Sequence, residues 1–541
     1  MPTDDSAMSF GTFAVADSDA VQAIRNVADL VRRNAVATPD RPALIWQDQT
    51  TTWRALDALV DRYARGLTAL GLPAGAGGHP ARVAMSVPNR PEFAAVYFAV
   101  LRAGLIAVPV NPGYTARELG QILRDSGATV LIGTPDVVAA AADVALSYAY
   151  HVGSQTTDGA RPLAELAHDG DPVESSTGGD DLAVLLYTSG TEGSPKGAML
   201  PHRALLANHR QLDAIEPAPV GSDDVLLLAI PMFHAYGLNA GLGAVAFHGA
   251  AGVLVDTFEP AETLRLIEAH HVTAVVGVPT MFVAWSLLSE FGEAFASVRV
   301  AVCGAAPLPI TAAQQFAEAT SHPVFIGYGL TEAAPVVATT LASPTPKTGS
   351  IGRALPGVEI RLVAPSGEDV WNTFDEWDAD DFDDDASGSP GTDPGEIVVR
   401  GDNLFVGYWP DRRGGPDSDG WWHTGDVAYA DADGDLFLVD RVRELILVNG
   451  FNVYPAEVEK VLTAHAAVAE AAVLGIPHPY SGQSVKAYVV ATEPIGQDEL
   501  VRHCERNLAR FKCPSAFEFV TSLPHSAIGK VRKGELRYAG E

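Results

Sequence analysis

The segment that decides the fold reads Tyr187-Thr188-Ser189-Gly190-Thr191-Glu192-Gly193-Ser194-Pro195-Lys196-Gly197. It follows Leu182 to Leu186, an apolar run short enough to be a buried strand, so the loop begins where a strand leaves the core. Eleven positions hold four Ser/Thr hydroxyls, three glycines and one lysine. Glycines let backbone N–H groups turn inward without a Cβ in the way, hydroxyls add donors, and the ammonium adds a mobile positive charge. Such a loop suits a polyphosphate. It departs from the pattern G-x-x-x-x-G-K-[ST], because Pro195 precedes Lys196 and Gly197 follows it, so no helix N-terminus is expected to receive the phosphate directly.

The rest of the chain sets the context for that loop. Its 541 residues, 47% of them hydrophobic, suggest two to four domains with ample core. No apolar run reaches the roughly 18 residues of a spanning helix, and the start of the chain has no basic n-region, so the expectation is an unexported, cytoplasmic protein. Cys303, Cys504 and Cys513 form no metal-ligand spacing and fit a reducing compartment. The charge is unusual: 36 Lys and Arg against 67 Asp and Glu, a formal −31. That excess repels nucleic acid and opposes compaction in dilute buffer, whereas at molar salt the screening length falls to about 3 Å. A salt-rich cytoplasm is therefore expected, as in a halophile. Of the seven lysines, Lys196 is the only one before Lys347, and a chain so depleted in lysine keeps one in this loop.

Along the chain, residues 1–20 read as a loose leader, and helical spacing runs from Val21 to Asn34. Leu105 to Val110, then Tyr114-Thr115-Ala116-Arg117-Glu118 with Leu119 to Leu123, then Thr129 to Ile132 read as strand, capped helix, strand. Thr115 and Glu118 form a capping box at the helix start. The same alternation recurs at Pro260 to Val278 and Val298 to Ile326, which predicts α/β layers with largely parallel strands. An Asp-rich stretch at about 368–393 without Lys or Arg reads as an inserted, solvated loop, and strand patterning returns from Gly395 to Tyr408. From Arg441 to Glu541 the chain carries 12 basic and 11 acidic residues, near +1, against about −32 before it. A small domain that closes over a polyanion needs that difference.

Four further segments stand out. Pro231-Met232-Phe233-His234-Ala235-Tyr236-Gly237-Leu238 leads into small and apolar residues, and by itself a lone His beside aromatics reads as a packed, hydrogen-bonded residue; the pocket role of His234 comes only from the resemblance given below. Gly304-Ala305-Ala306 follows a strand at the carboxyl end, where α/β folds bind ligands. In Gly327-Tyr328-Gly329-Leu330-Thr331-Glu332, Tyr328 offers an aromatic face for a base, Thr331 a phosphate donor and Glu332 a hard oxygen for Mg²⁺; the plain alternative is a turn with a solvated acid. Asp426, in Trp421-Trp422-His423-Thr424-Gly425-Asp426, is either an exposed turn carboxylate or an acceptor for two ribose hydroxyls.

Taken in order, these segments resemble the motifs of the adenylate-forming superfamily, which includes acyl-CoA synthetases, luciferases and peptide-synthetase adenylation domains. The resemblance runs from about Val21 to Arg537. It implies a large N-terminal domain, 21–440, of layered α/β subdomains plus a small β-barrel, and a small mobile α+β lid, 441–541. It implies Lys530, Glu332, Thr188 and His234 as catalytic residues, with Glu332 and Thr188 holding Mg²⁺. ATP would be held by Thr188, Ser189, Gly190, Thr191, Lys196, Gly304, Ala305, Ala306, Tyr328, Gly329, Thr331, Asp426, Arg441 and Lys530. Arg443 would be the hinge, where the family usually has Asp or Lys. Gly450, Phe451 and Asn452 would line the CoA tunnel. Val110 to Leu119 and Tyr328 to Pro335 look most like long-chain fatty acid-CoA ligases. The implied reaction joins a carboxylic acid to CoA through an acyl-adenylate. A carrier-loading adenylation enzyme, an aryl acid-CoA ligase and a non-catalytic sensor on the same fold stay open, as do a homodimer and a peripheral membrane contact.

Overall fold

The computed structural model describes residues 24–75, 78–155, 157–188, 195–289, 291–375, 391–441, 446–448, 451–453, 455–478, 482–508, 510–525 and 531–538. Short apolar runs rich in Val, Ile and Ala become buried strands, and two large sheets result. One has seven strands in the order Arg161–Pro162, Tyr148–His151, Val130–Gly133, Arg82–Ser86, Ile106–Pro109, Leu182–Thr188, Lys196–Pro201. All its pairs are parallel except the last, where Leu182–Thr188 and Lys196–Pro201 form a hairpin with Thr188 opposite Lys196. A strand, not a helix, thus follows the glycine-rich loop, as the Pro-Lys-Gly order predicts.

The other sheet has nine strands, from Arg353–Ala354 through Val336–Thr339, Val324–Gly329, Val300–Cys303, Ala274–Gly277, Val225–Leu228, Ala251–Leu254 and Pro42–Trp46 to Gln49–Thr52. It is parallel at its centre and antiparallel at both ends. The helix Pro91–Arg102 is buried on every face, from Phe93 to Arg102. A helix apolar all round belongs inside, and it shares one core with Val83 and Val184 of the first sheet and Leu226 and Leu254 of the second. Its last residue, Arg102, is 1% exposed and pairs with Asp57 at 2.7 Å and Asp61 at 2.9 Å, which makes that buried charge tolerable.

The small β-rich unit is a five-stranded antiparallel sheet, Asp369–Asn372, Val358–Val363, Gly395–Gly401, Trp422–Ala430, Leu436–Arg441. At its last turn Asp431, Asp433 and Asp435 converge on Lys347 Nζ at 2.6, 2.5 and 3.4 Å, and these carboxylates hold the Lys347 ammonium well above the ordinary lysine pKa. Toward the C-terminus, Phe451–Val453, Ile446–Val448, Gly482–Ala491, Val468–His478 and Ala516–Phe519 form another sheet, and helices Pro455–Thr463 and Gln497–Asn507 share its core.

Several local expectations shift. Residues 1–23, and with them the predicted leader and the start of helical spacing at Val21, lie outside the described residues; residues 24–28 are not helical, Asn26 Oδ1 accepting from Ala28 N at 2.8 Å, and the first described helix is Asp29–Ala37. The capping box forms as predicted, Thr115 N donating to Glu118 Oε2 at 2.9 Å, at the start of helix Ala116–Ser126. The acidic stretch is not loop throughout, since Asp369–Asn372 is an edge strand with Trp371 buried; 376–390 lie outside the described residues. Strand pairing from Gly395 stops at Gly401 rather than at Tyr408, because Asn403 turns inward and donates to Ala333 O at 2.9 Å.

Candidate active site

Of the predicted nucleotide residues, Tyr328 and Thr331 follow the nine-stranded sheet, Thr188 and Lys196 flank the hairpin turn of the seven-stranded sheet, and Asp426 lies on the five-stranded sheet. Strand Val324–Gly329 brings Tyr328 to the rim, and Tyr328 Oη donates to Asp426 Oδ2 at 2.8 Å with both side chains buried. The solvated-turn alternative for Asp426 therefore fails. Arg441 stands opposite Asp426 in the strand register, which puts a cationic residue type beside the carboxylate position. One turn beyond Tyr328, Thr331 opens the short 3₁₀ helix Thr331–Ala333, in which Glu332 is 8% exposed. Glu332 Oε1 accepts from Tyr408 Oη at 2.6 Å, and among the described residues its Oε2 takes no hydrogen bond. A buried carboxylate with an uncommitted oxygen suits a hard cation such as Mg²⁺, which is usually held by one or two carboxylates plus substrate phosphates. Thr188, the last residue of its strand, carries a hydroxyl oxygen of the same hard kind, with Oγ1 3.5 Å from Lys196 O across the hairpin, so the donor types of these residues fit that ion. No cluster of three His, Cys, Asp or Glu residues suited to a metal occurs among the described residues.

The glycine-rich loop is anchored at both described ends. Tyr187 Oη donates to Asp125 Oδ2 at 2.6 Å, and burial together with that bond pushes the phenol far above its ordinary pKa. Lys196 starts the outgoing strand, its Nζ 5.7 Å from the centre of the Tyr408 ring. Cys303 ends strand Val300–Cys303, and Gly304 follows against the Tyr236 phenol. A Cβ at Gly304 would come within 2.9 Å of that ring, so glycine lets the ring approach. Ala305 takes φ 71°, a left-handed conformation that residues with a Cβ hold at a cost of about 1 kcal/mol, and such strain gathers at ligand sites.

His234 is half-buried, its ring 4.6 Å from that of Phe233, just before the π-helix Tyr236–Gly243. π-helical turns often mark functional sites. Leu228, Ile230, Tyr236, Gly237, Gly241 and Val276 bound an apolar cavity of ≈ 10 Å³ there, enough for one water. The hydrogen bonds from the Thr115 hydroxyl and N–H hold Glu118 below the ordinary carboxylate pKa, and the charges of Arg117 and, from near the C-terminal end, Arg532 add to that lowering. Ser189, Gly190, Thr191, Arg443, Gly450 and Lys530 lie outside the described residues. Arg441, Phe451 and Asn452 are described by their backbone alone.

Sequence reasoning missed four residues whose hydrogen bonds tie these segments together. Asn89 donates to Leu228 O and Ile230 O and accepts from Met232 N, holding the segment before His234. Asn239 donates to Ala334 O at 2.7 Å, tying the π-helix to the turn after Glu332. Asn403 grips Ala333 O and Val336 O, and Tyr408 grips Glu332 itself. The signal that could have flagged them was polar residues inside otherwise apolar segments.

Residues 31–409 match the family model of AMP-binding enzymes, and residues 457–530 match the AMP-binding enzyme C-terminal domain. The chain belongs to the AMP-binding enzyme family. Its relatives include a feruloyl-CoA synthase from Amycolatopsis sp, 36% identical over 93% of this chain and 97% of that one. A long-chain-fatty-acid–CoA ligase from Escherichia coli O157:H7 is 33% identical over 95% of this chain and 94% of its own. Among solved structures, ATP-bound MatB from Rhodopseudomonas palustris superposes with a TM-score of 0.82 at 30% identity, covering 95% of this chain and 99% of that one.

Proposed function

We propose that this chain is an acyl-CoA synthetase that activates a hydrophobic carboxylic acid, a medium- or long-chain fatty acid, at the expense of ATP. The observation that carries the reading is the convergence of Tyr328 with Asp426 and of Glu332 with Tyr408 and Lys196. In the first step a carboxylate oxygen attacks the α-phosphorus, the bond to the β-phosphate oxygen breaks, and pyrophosphate leaves. In the second the CoA thiolate attacks the acyl carbon of the adenylate and AMP leaves. Joining two anions requires positive charge where negative charge accumulates.

Tyr328 would face the adenine, with Gly329 and residues Gly304 to Ala306 beside it, and Asp426 with Arg441 would hold the ribose. Thr188 to Lys196, with Thr331, would cradle the phosphates. Lys530 would bridge the carboxylate and the α-phosphate. Mg²⁺ held by Glu332 and Thr188 would screen the charge of the departing pyrophosphate. Turning about Arg443, a lid beginning near Arg441 would bring Gly450 to Asn452 to the pantetheine arm of CoA. The acyl group would enter past His234, where a cavity of ≈ 10 Å³ requires Tyr236 or the π-helix to move. No described helix is long and apolar enough to cross a membrane. We place the enzyme in a salt-rich cytoplasm because of its charge of −31.

An aryl acid is the second reading, favoured by the feruloyl-CoA synthase at 36% identity. The test is AMP release from Mg-ATP in molar KCl across short, medium, long and aromatic acids, with and without CoA. AMP and acyl-CoA rising together with fatty acids is the expected result. Turnover with aromatic acids alone selects the second reading, AMP release that ignores CoA points to a carrier-loading enzyme, and no acid-dependent turnover overturns the proposal.

A further inference from the structure

Tyr408 touches at once the carboxylate assigned to the cation and the lysine assigned to the phosphates. Its hydroxyl donates to Glu332 Oε1 at 2.6 Å, and one face of its ring carries Lys196 Nζ at 5.7 Å. It lies outside regular strand, yet its backbone is pinned on several sides. Phe405 N donates to Glu332 O at 2.8 Å, Val406 N to Met199 O at 3.0 Å, and Trp409 N to Gly197 O at 2.8 Å. Tyr408 N donates to Arg413 O at 2.9 Å, and the Phe405 ring packs edge-on at 5.1 Å. Gly407 takes φ 118°, and a Cβ there would sit 2.2 Å from Arg412 O, so the turn that aims the phenol requires glycine.

The segment 405–409 is thus stitched both to the strand that begins at Lys196 and to the 3₁₀ turn that carries Glu332. We propose that Tyr408 is a positioning residue: its hydroxyl fixes Glu332 so that Oε2 faces the cation of Mg-ATP, and its ring docks the Lys196 ammonium beside that site. Ammonium groups are attracted to the faces of aromatic rings, and the tyrosine hydroxyl is a donor with which an ionised carboxylate bonds strongly. Fixing the carboxylate before binding removes rotamer entropy that the ion would otherwise have to freeze. This inference rests on the reading of Glu332 as the cation ligand.

The experiment is calorimetric titration of the full chain with ATP in EDTA and with Mg-ATP, which gives a binding ratio internal to each variant. A partly unfolded preparation lowers the stoichiometry and leaves that ratio readable. Tyr408→Phe keeps the ring and is expected to weaken Mg-ATP roughly five- to thirty-fold while changing metal-free ATP less than about two-fold. Tyr408→Leu also removes the lysine dock and is expected to weaken metal-free ATP about two- to five-fold. Glu332→Gln is the control, expected to remove the tightening by Mg²⁺. If Glu332→Gln keeps that tightening, the cation-ligand reading itself fails. If Glu332→Gln loses it and Tyr408→Phe retains it, the positioning role of the hydroxyl is overturned alone. Metal-free binding by Tyr408→Leu that equals the parent overturns the docking role of the ring.

Discussion

Asp426→Asn tests the proposed nucleotide site directly. Asp426 is 7% exposed, its Oδ2 takes the Tyr328 hydroxyl at 2.8 Å, and its N–H donates to Thr424 Oγ1 at 3.1 Å. Asparagine preserves the shape and one carbonyl acceptor, so either Tyr328 or the ribose loses its carboxylate partner. A hydrogen bond to a charged group contributes about 1.5–3 kcal/mol, which corresponds to roughly ten- to 150-fold in kcat/KM for ATP. The assay is acid-dependent pyrophosphate exchange with ATP and with 2′,3′-dideoxy-ATP, a cycle that isolates the hydroxyl contacts from the rest. The parent enzyme should prefer ATP strongly, and Asp426→Asn should treat the two nucleotides alike within a few-fold. Equal losses for both nucleotides would refute the ribose assignment and leave Asp426 as a structural partner of Tyr328.

Other expectations can be checked in parallel. Lys530→Ala should slow adenylation by about 10²–10³, roughly 3–4 kcal/mol, and leave thioester formation from supplied acyl-AMP nearly intact; equal losses in both half-reactions would sink the assignment. Burial holds His202, His209 and His248 neutral, with pKa values lowered from 6.5 to about 4, 3 and 4. The unfolded chain then binds protons that the native chain refuses, so their stabilisation is complete above pH 6.5 and declines as pH falls toward 4. Each group costs up to about 1.4 kcal/mol per pH unit across that window, and a urea midpoint that stays flat from pH 6.5 to 5 would contradict this. With a formal charge of −31, the melting temperature should rise from dilute buffer to molar KCl; an unchanged value there would remove the argument for a salt-rich cytoplasm.

The parts of the site that were legible in the sequence are those whose chemistry is written in residue type. A glycine- and hydroxyl-rich loop with one lysine, a carboxylate after an aromatic strand, and an acid among tryptophans each announce a task. Tyr328 and Asp426 could be named separately, but their mutual hydrogen bond joins residues 98 positions apart and depends on two sheets meeting. Asn89, Asn239 and Asn403 were silent because an asparagine reveals its partners only when the backbone carbonyls it satisfies are in place. Tyr408 was hidden for a related reason: Gly395 to Tyr408 reads as strand by alternation, and the turn at Gly407 is what points the phenol at Glu332. The layered α/β order came through because buried parallel strands are apolar along their whole length. Strand ends moved by a few residues because side chains such as Asn403 set them.

The turn Asp431-Ala432-Asp433-Gly434-Asp435 spaces its carboxylates as a divalent-cation loop would, and Lys347 Nζ stands at their focus. The counter-ion is therefore covalently part of the chain. A chelator has nothing to extract from this turn, and dilution has no ion to wash away. The turn joining strands Trp422–Ala430 and Leu436–Arg441 gathers three carboxylates on one ammonium, whereas exposed carboxylates such as Asp40 and Asp223 each meet a single arginine. The strand pair that presents Asp426 and Arg441 is thus closed by an ion whose local concentration never changes with the salinity of the cell.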